Sequence, residues 1–244
     1  MKSIIVTGAS SGIGRATAEA FLEQGWKVGL IARRGDRLAD IAAKHPAAIP
    51  LPVDVTDQSG MSAAFDKFLD LTGRLDALFN NAGSFGPSGS IDEIDLDDFD
   101  TVLNVNVRGM FIAAQLAFRQ MREQAPKGGR IINNGSLAAY SPRPESICYT
   151  TTKHAITGLT KSLSLDGRPH DIACGQIDIG NARTEMVDNL QARALEQDPN
   201  TKLAPTMDPQ DAARLVLHMA ELPAEANVQF MTVMATKMPY IGRG

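Results

Sequence analysis

Apolar residues in this chain fall into short runs separated by longer amphipathic stretches. Strand-like runs rich in β-branched residues are expected at 3–7, 27–32, 48–54, 76–80, 130–134, 172–178 and 227–233. Helix-length segments lie between them at 12–24, 57–71, 97–124, 147–166 and 209–221. Several runs, SIIVT and ALFN among them, are apolar throughout and do not alternate. Such strands bury both faces, as in a parallel sheet covered by helices. The alternation predicts an α/β fold spanning 1–244 as a single domain: a doubly wound parallel sheet with helices on both faces, the Rossmann fold. The least patterned stretch, 185–208, precedes the last helix and is expected to form a substrate lid.

Composition narrows the function classes. The chain is 43% hydrophobic and only 5% aromatic, so its core must be largely aliphatic. The net charge of −4 comes without a basic stripe, which argues against nucleic acid as a partner. Cys148 and Cys174 have neither metal-ligand spacing nor a disulfide framework, so no metal is expected and a reducing cytoplasm is the natural home. The first apolar run breaks at Gly8. It is too short to span a membrane and lacks a signal peptide's cleavage site.

The first strand runs into Gly8-Ala9-Ser10-Ser11-Gly12-Ile13-Gly14, and a helix follows at once. Glycines at 8, 12 and 14 permit a tight turn and a close approach of a pyrophosphate to a helix N-terminus. The same glycines would also serve turn geometry and helix–sheet packing alone. Their spacing, G-x-x-x-G-x-G, differs from the dinucleotide fingerprint G-x-G-x-x-G.

TGASSGIG closely resembles the opening motif of the short-chain dehydrogenases/reductases, in their shorter branch, and later motifs follow in that family's order. The resemblance implies an oxidoreductase that moves a hydride between a nicotinamide cofactor and an alcohol or carbonyl carbon. At the end of the second strand, Ala32 replaces the carboxylate that binds an NAD ribose, and Arg33 and Arg34 follow. Arginines can grip a 2′-phosphate by charge-assisted pairs, so NADP(H) is expected in preference to NAD(H). Asp54 and Val55 resemble the family's adenine contact, and Asn81, Ala82 and Gly83 lie in a segment that resembles its NNAG motif.

Tyr149 and Lys153, four apart, share one face of a helix, where an ammonium favours the phenolate. Alone, such a pair is common as a packing tyrosine and a surface lysine. Ser136 lies 13 residues before Tyr149, the separation that the family shows, and Asn106 matches its fourth catalytic position. Asn106, inside a long helix, is expected to disturb the backbone ladder and help hold a water for proton relay to Lys153. Gly180, Ala182 and Thr184 follow the sixth strand at positions resembling the family's nicotinamide contact, although Ile179 replaces the usual proline and implies a less rigid loop. Arg143 has two readings, a contact to a substrate carboxylate or a solvated loop residue. His154 is one residue off the catalytic face.

The resemblance implies a homodimer through the helices at 97–124 and 147–166, or a homotetramer, which the atypical C-terminal run VMATKMPYIGRG brings into question. Two alternatives remain: a non-catalytic NADP(H) sensor, and an NAD-preferring dehydrogenase on the same scaffold. Enoyl reductases of this fold space the tyrosine and lysine more widely.

Overall fold

A computed structural model describes residues 1–241, so the last three residues of the C-terminal run lie outside it. The apolar runs become seven strands, β1 (Ser3–Thr7), β2 (Lys27–Ala32), β3 (Ala48–Pro52), β4 (Ala77–Asn80), β5 (Gly129–Asn134), β6 (Ile172–Ile179) and β7 (Phe230–Val233). They form one parallel sheet in the order β3-β2-β1-β4-β5-β6-β7. The helices are α1 (Gly12–Glu23), α2 (Gly35–Ala42), α3 (Gln58–Thr72), α4 (Leu96–Leu103), α5 (Met110–Glu123), α6 (Ile147–Gly167), α7 (Glu185–Gln197) and α8 (Pro209–Glu221). No helix among the described residues is long and apolar enough to cross a membrane.

The non-alternating strands divide their side chains between two cores. Ile4 and Val6 of β1 join Phe21, Leu38, Phe79 and Val216 on one face of the sheet. Ile5, between them, joins Phe65, Phe68, Leu78, Ile112 and Met121 on the other. Both faces are therefore dry, as successive side chains pointing to opposite faces require. Gly29 of β2 makes room for this packing, since a Cβ there would stand 2.7 Å from the Phe68 ring.

The boundaries differ from the pattern for definable reasons. β3 ends at Pro52 rather than at 54, and its Pro50 and Pro52 are tolerated because it is an edge strand. β7 begins only at Phe230. β6 runs one residue further, through Ile179, which pairs with Val233; Gly180 N–H then donates to the Val233 carbonyl at 2.8 Å. The residue replacing the family's proline thus continues the ladder. The expected helix 97–124 is interrupted by a π-helical turn at Asn104–Gly109 between α4 and α5. α2 buries only Leu38 and Ile41, too few apolar residues to announce a helix. α7 occupies most of the stretch expected to be unpatterned. None of its described side chains is buried in a core, so no core-facing stripe marks it.

Candidate active site

β1 is flanked by β2 and β4, so the chain leaves it in opposite directions and a crevice opens beyond the strand C-termini. A cleft of about 660 Å³ fills that position. Every residue named above as catalytic or cofactor-binding lines it except Asn106.

At one end lies the glycine-rich turn. Gly8 adopts φ +71°, and a Cβ at Gly14 would stand 2.2 Å from the Gly8 carbonyl oxygen. Packing within the turn is thus sufficient reason for Gly14. Ser11 caps α1 without a side-chain hydrogen bond, so the helix's first N–H groups are not satisfied by that hydroxyl. Arg34 crosses the turn, donating to Ser11 Oγ at 2.8 Å and to Ser10 Oγ at 3.1 Å. Arg33 points elsewhere, 3.8 Å from the Asp54 carboxylate and largely exposed. Asp54 also accepts from the N–H and hydroxyl of Thr56 at 2.9 and 2.8 Å. Glu185, the first residue of α7, closes this end by pairing with Arg34 at 3.1 Å and Arg37 at 2.5 Å. Arg37 first, and then Arg34, hold its carboxyl below the usual carboxylate range.

The other end is buried. Lys153 is only 3% exposed, and its ammonium donates to the Asn134 carbonyl at 2.8 Å. It also stands 5.4 Å from the centre of the Tyr149 ring, within range of a cation–π attraction. Phe85 stacks on that phenol, with ring centres 5.0 Å apart and planes inclined by 28°. Ser136 Oγ accepts from Ala138 N–H at 3.2 Å, which leaves its own O–H to donate.

Behind these groups a polar network fixes the end of β5. Ser136 N–H donates to Asp178 Oδ1 at 2.9 Å, and Gln176 Nε2 donates to the same oxygen at 2.8 Å. Gln176 Oε1 accepts from Thr160, whose hydroxyl oxygen accepts from Asn133. A Cβ at Gly135 would lie 2.0 Å from Asp178 Oδ1, so the carboxylate fills the place of a side chain there. Burial pushes the Asp178 carboxyl up, against the opposing pull of Gln176 and Ser136. Asn81 ties the strand ends together, accepting from Asn134 at 2.8 Å and donating to the Thr7 carbonyl at 2.9 Å.

Asn106 stands in the π-helical turn, buried, with its side chain turned to protein atoms. Its Nδ2 donates to the Ser84 carbonyl at 2.8 Å and to Thr152 Oγ1 at 3.0 Å, while its Oδ1 accepts from Ser84 N–H at 2.8 Å. It braces the wall of the cleft without lining it. Burial pushes the Cys174 thiol up to about 12 and raises that of Cys148, so neither is poised as a thiolate. Among the described residues no cluster of three or more His, Cys, Asp or Glu is arranged to hold a metal.

Arg143 and Lys202 also line the cleft, with Arg143 donating to Asn181 Oδ1 at 2.7 Å. Phe85, Asp178, Arg37 and Glu185 were not singled out from sequence. A lone carboxylate in the apolar run IACGQIDI was a signal for Asp178. Nothing local pointed to Glu185, which meets Arg34 across 151 residues.

Comparison with known proteins agrees with this architecture. The short chain dehydrogenase family model matches residues 2–195. Sulfoacetaldehyde reductase 2 of Chromohalobacter salexigens is 28% identical over 246 residues, covering 97% of this chain and 95% of the relative. A short chain dehydrogenase of Burkholderia cenocepacia, solved in complex with NADP, is 31% identical with a TM-score of 0.82, covering 96% of each chain. The 3-ketoacyl-(acyl-carrier-protein) reductase of Brucella melitensis, complexed with NADH, shares the fold at a TM-score of 0.87 and 24% identity, covering 97% of this chain and 98% of that one.

Proposed function

This chain belongs to the short-chain dehydrogenase family, and we propose that it transfers a hydride between NADP(H) and an alcohol or carbonyl carbon of a small or medium substrate. The observation that carries this reading is the pairing of Tyr149 with a buried Lys153 in the same cleft as Ser136 and the glycine-rich turn.

The residues fit a dinucleotide phosphate. The α1 N-terminus, uncapped by Ser11, suits a pyrophosphate, and Arg34 with the Ser10 and Ser11 hydroxyls makes a donor cluster for a 2′-phosphate. Asp54 and Val55 would hold the adenine end; Gly180, Ala182 and Thr184 would hold the nicotinamide end. When bound, the nicotinamide supplies or accepts the hydride. Tyr149 gives its hydroxyl proton to the substrate oxygen during reduction and takes it back during oxidation. The free O–H of Ser136 donates to the same oxygen as it gains charge. Lys153, held by the Asn134 carbonyl, keeps its ammonium beside the phenol ring. Asn106 is a positioning residue here, setting the wall at Ser84. Phe85, Met186, Leu190 and Leu203 give the substrate an apolar wall, to which Arg143 and Lys202 add positive charge.

An NAD-preferring dehydrogenase is the second reading, favoured by one observation: Glu185 already occupies Arg34. Exposed Phe111 on α5 and Leu165 on α6 support a homodimer through those helices. Two free buried cysteines support a cytoplasmic setting. We further read residues 185–208 as the lid, since Met186, Leu190 and Leu203 line the cleft.

The test is a fluorescence titration with NADPH and with NADH, followed by a panel of aldehydes and ketones under NADPH. Tighter NADPH binding and carbonyl-dependent NADPH oxidation are expected. Binding without turnover of any carbonyl or alcohol would favour a sensor, and tighter NADH binding would favour the second reading.

A further inference from the structure

Glu185 joins two parts of the cleft that are remote in sequence. Thr184 caps α7, its hydroxyl accepting from Val187 N–H at 3.3 Å, and so fixes where the helix begins. From that point the Glu185 carboxylate reaches Arg34 through Oε2 at 3.1 Å and Arg37 through Oε1 at 2.5 Å. Arg34 is simultaneously aimed by the Ser10 and Ser11 hydroxyls. Asp54, the other carboxylate lining the cleft, is engaged by Thr56 and faces Arg33. The guanidinium that a 2′-phosphate would need is thus neutralised by a side chain of the chain's own lid.

We propose that Glu185 is a specificity-determining residue whose carboxylate competes with the 2′-phosphate of NADP(H) for Arg34 and Arg37. The proposal rests on the reading of Arg34 as the phosphate ligand. Both anions require the same N–H donors, and a phosphate beside an ionised carboxylate is repelled. NAD(H) carries only a ribose hydroxyl at that place and leaves the pair intact. Glu185 therefore holds the preference for NADP(H) below the level the arginines alone would set. Selectivity of this kind is a difference of two affinities, set by repulsion as much as by attraction. The effect is modest because the pair is exposed, with 55% of the Glu185 side chain accessible.

The experiment compares wild type, Glu185→Gln and Arg34→Leu by titration with NADPH and NADH at one ionic strength. In Glu185→Gln the ratio of NADPH to NADH affinity should rise roughly two- to fivefold, the range expected for an exposed ion pair. An unchanged or lowered ratio overturns the proposal. Arg34→Leu separates the two levels of inference. If it lowers the ratio while Glu185→Gln leaves it unchanged, the competition is wrong and the phosphate reading stands. If Arg34→Leu leaves the ratio unchanged, the phosphate reading fails and the competition fails with it.

Discussion

The two ends of the cleft are built by opposite means. Around Tyr149, the groups that matter are buried and joined by hydrogen bonds that leave few alternatives: Lys153 to Asn134, Ser136 to Asp178, Asn106 to Ser84. Around Arg34, the partners are charged and exposed, as in Arg34–Glu185 and Arg33–Asp54. An unpaired polar group costs about 1–3 kcal/mol when buried, whereas an exposed ion pair contributes about 0–1 kcal/mol. The buried end is therefore fixed in geometry, and changes there should alter turnover. The exposed end can exchange partners, and changes there should alter which cofactor is held while leaving the chemistry alone.

The largest effect should come from Tyr149→Phe, which is expected to reduce turnover roughly 10²–10⁴-fold, the span of general acid–base catalysis, with NADPH affinity nearly unchanged. Steady-state rates and a titration on the same preparation check it; comparable turnover would erase the distinction between the ends. Next in size is Arg34→Leu, expected to weaken NADPH by roughly ten- to a hundredfold through loss of charged hydrogen bonds, with little change in kcat at saturating cofactor. A fall in kcat of the same size would mean that the ends are coupled.

The smallest effect sharpens the buried end. Burial raises the Asp178 carboxyl above its ordinary value of 3.8. The folded state then binds a proton more tightly than the unfolded one, so the contribution of Asp178 to stability is fully present below 3.8 and declines as pH rises through the native value. Asp178→Asn, neutral at every pH, should gain stability relative to wild type from about pH 3.8 upward and then level off. Urea unfolding across a pH series measures this; a flat or reversed difference would show that the carboxyl is not penalised by its surroundings.

The same contrast governs what could be read from residues alone. Strands buried on both faces announce themselves, as SIIVT and ALFN do, because dryness on each side excludes polar residues. The turn at Gly8–Gly14 and the pair Tyr149 and Lys153 are local in sequence, so they could be matched to the family's motifs by resemblance. α7 went unread because Met186, Val187 and Leu190 line the cleft and none is buried in a core. The side-chain partners of Asn106 were hidden for a related reason. Its position in the helix was legible, but its partners Ser84 and Thr152 are 22 and 46 residues away. The Glu185 clasp depends on the fold bringing two distant segments together.

β3 leaves one edge of the sheet open, and its prolines decide what can join it. Val53 N–H donates to Ala32 and Val28 N–H donates to Ala47, so the odd-numbered residues of this stretch face β2. The backbone at Pro50 and Pro52 therefore turns outward, where neither residue has an N–H to offer. Lys67 adds its ammonium to the outward carbonyl of Pro50 at 3.5 Å. An arriving strand from another molecule would find donors missing and a charge in the way. That edge is closed to intermolecular strand addition, and the chain should resist aggregation along it even at high concentration.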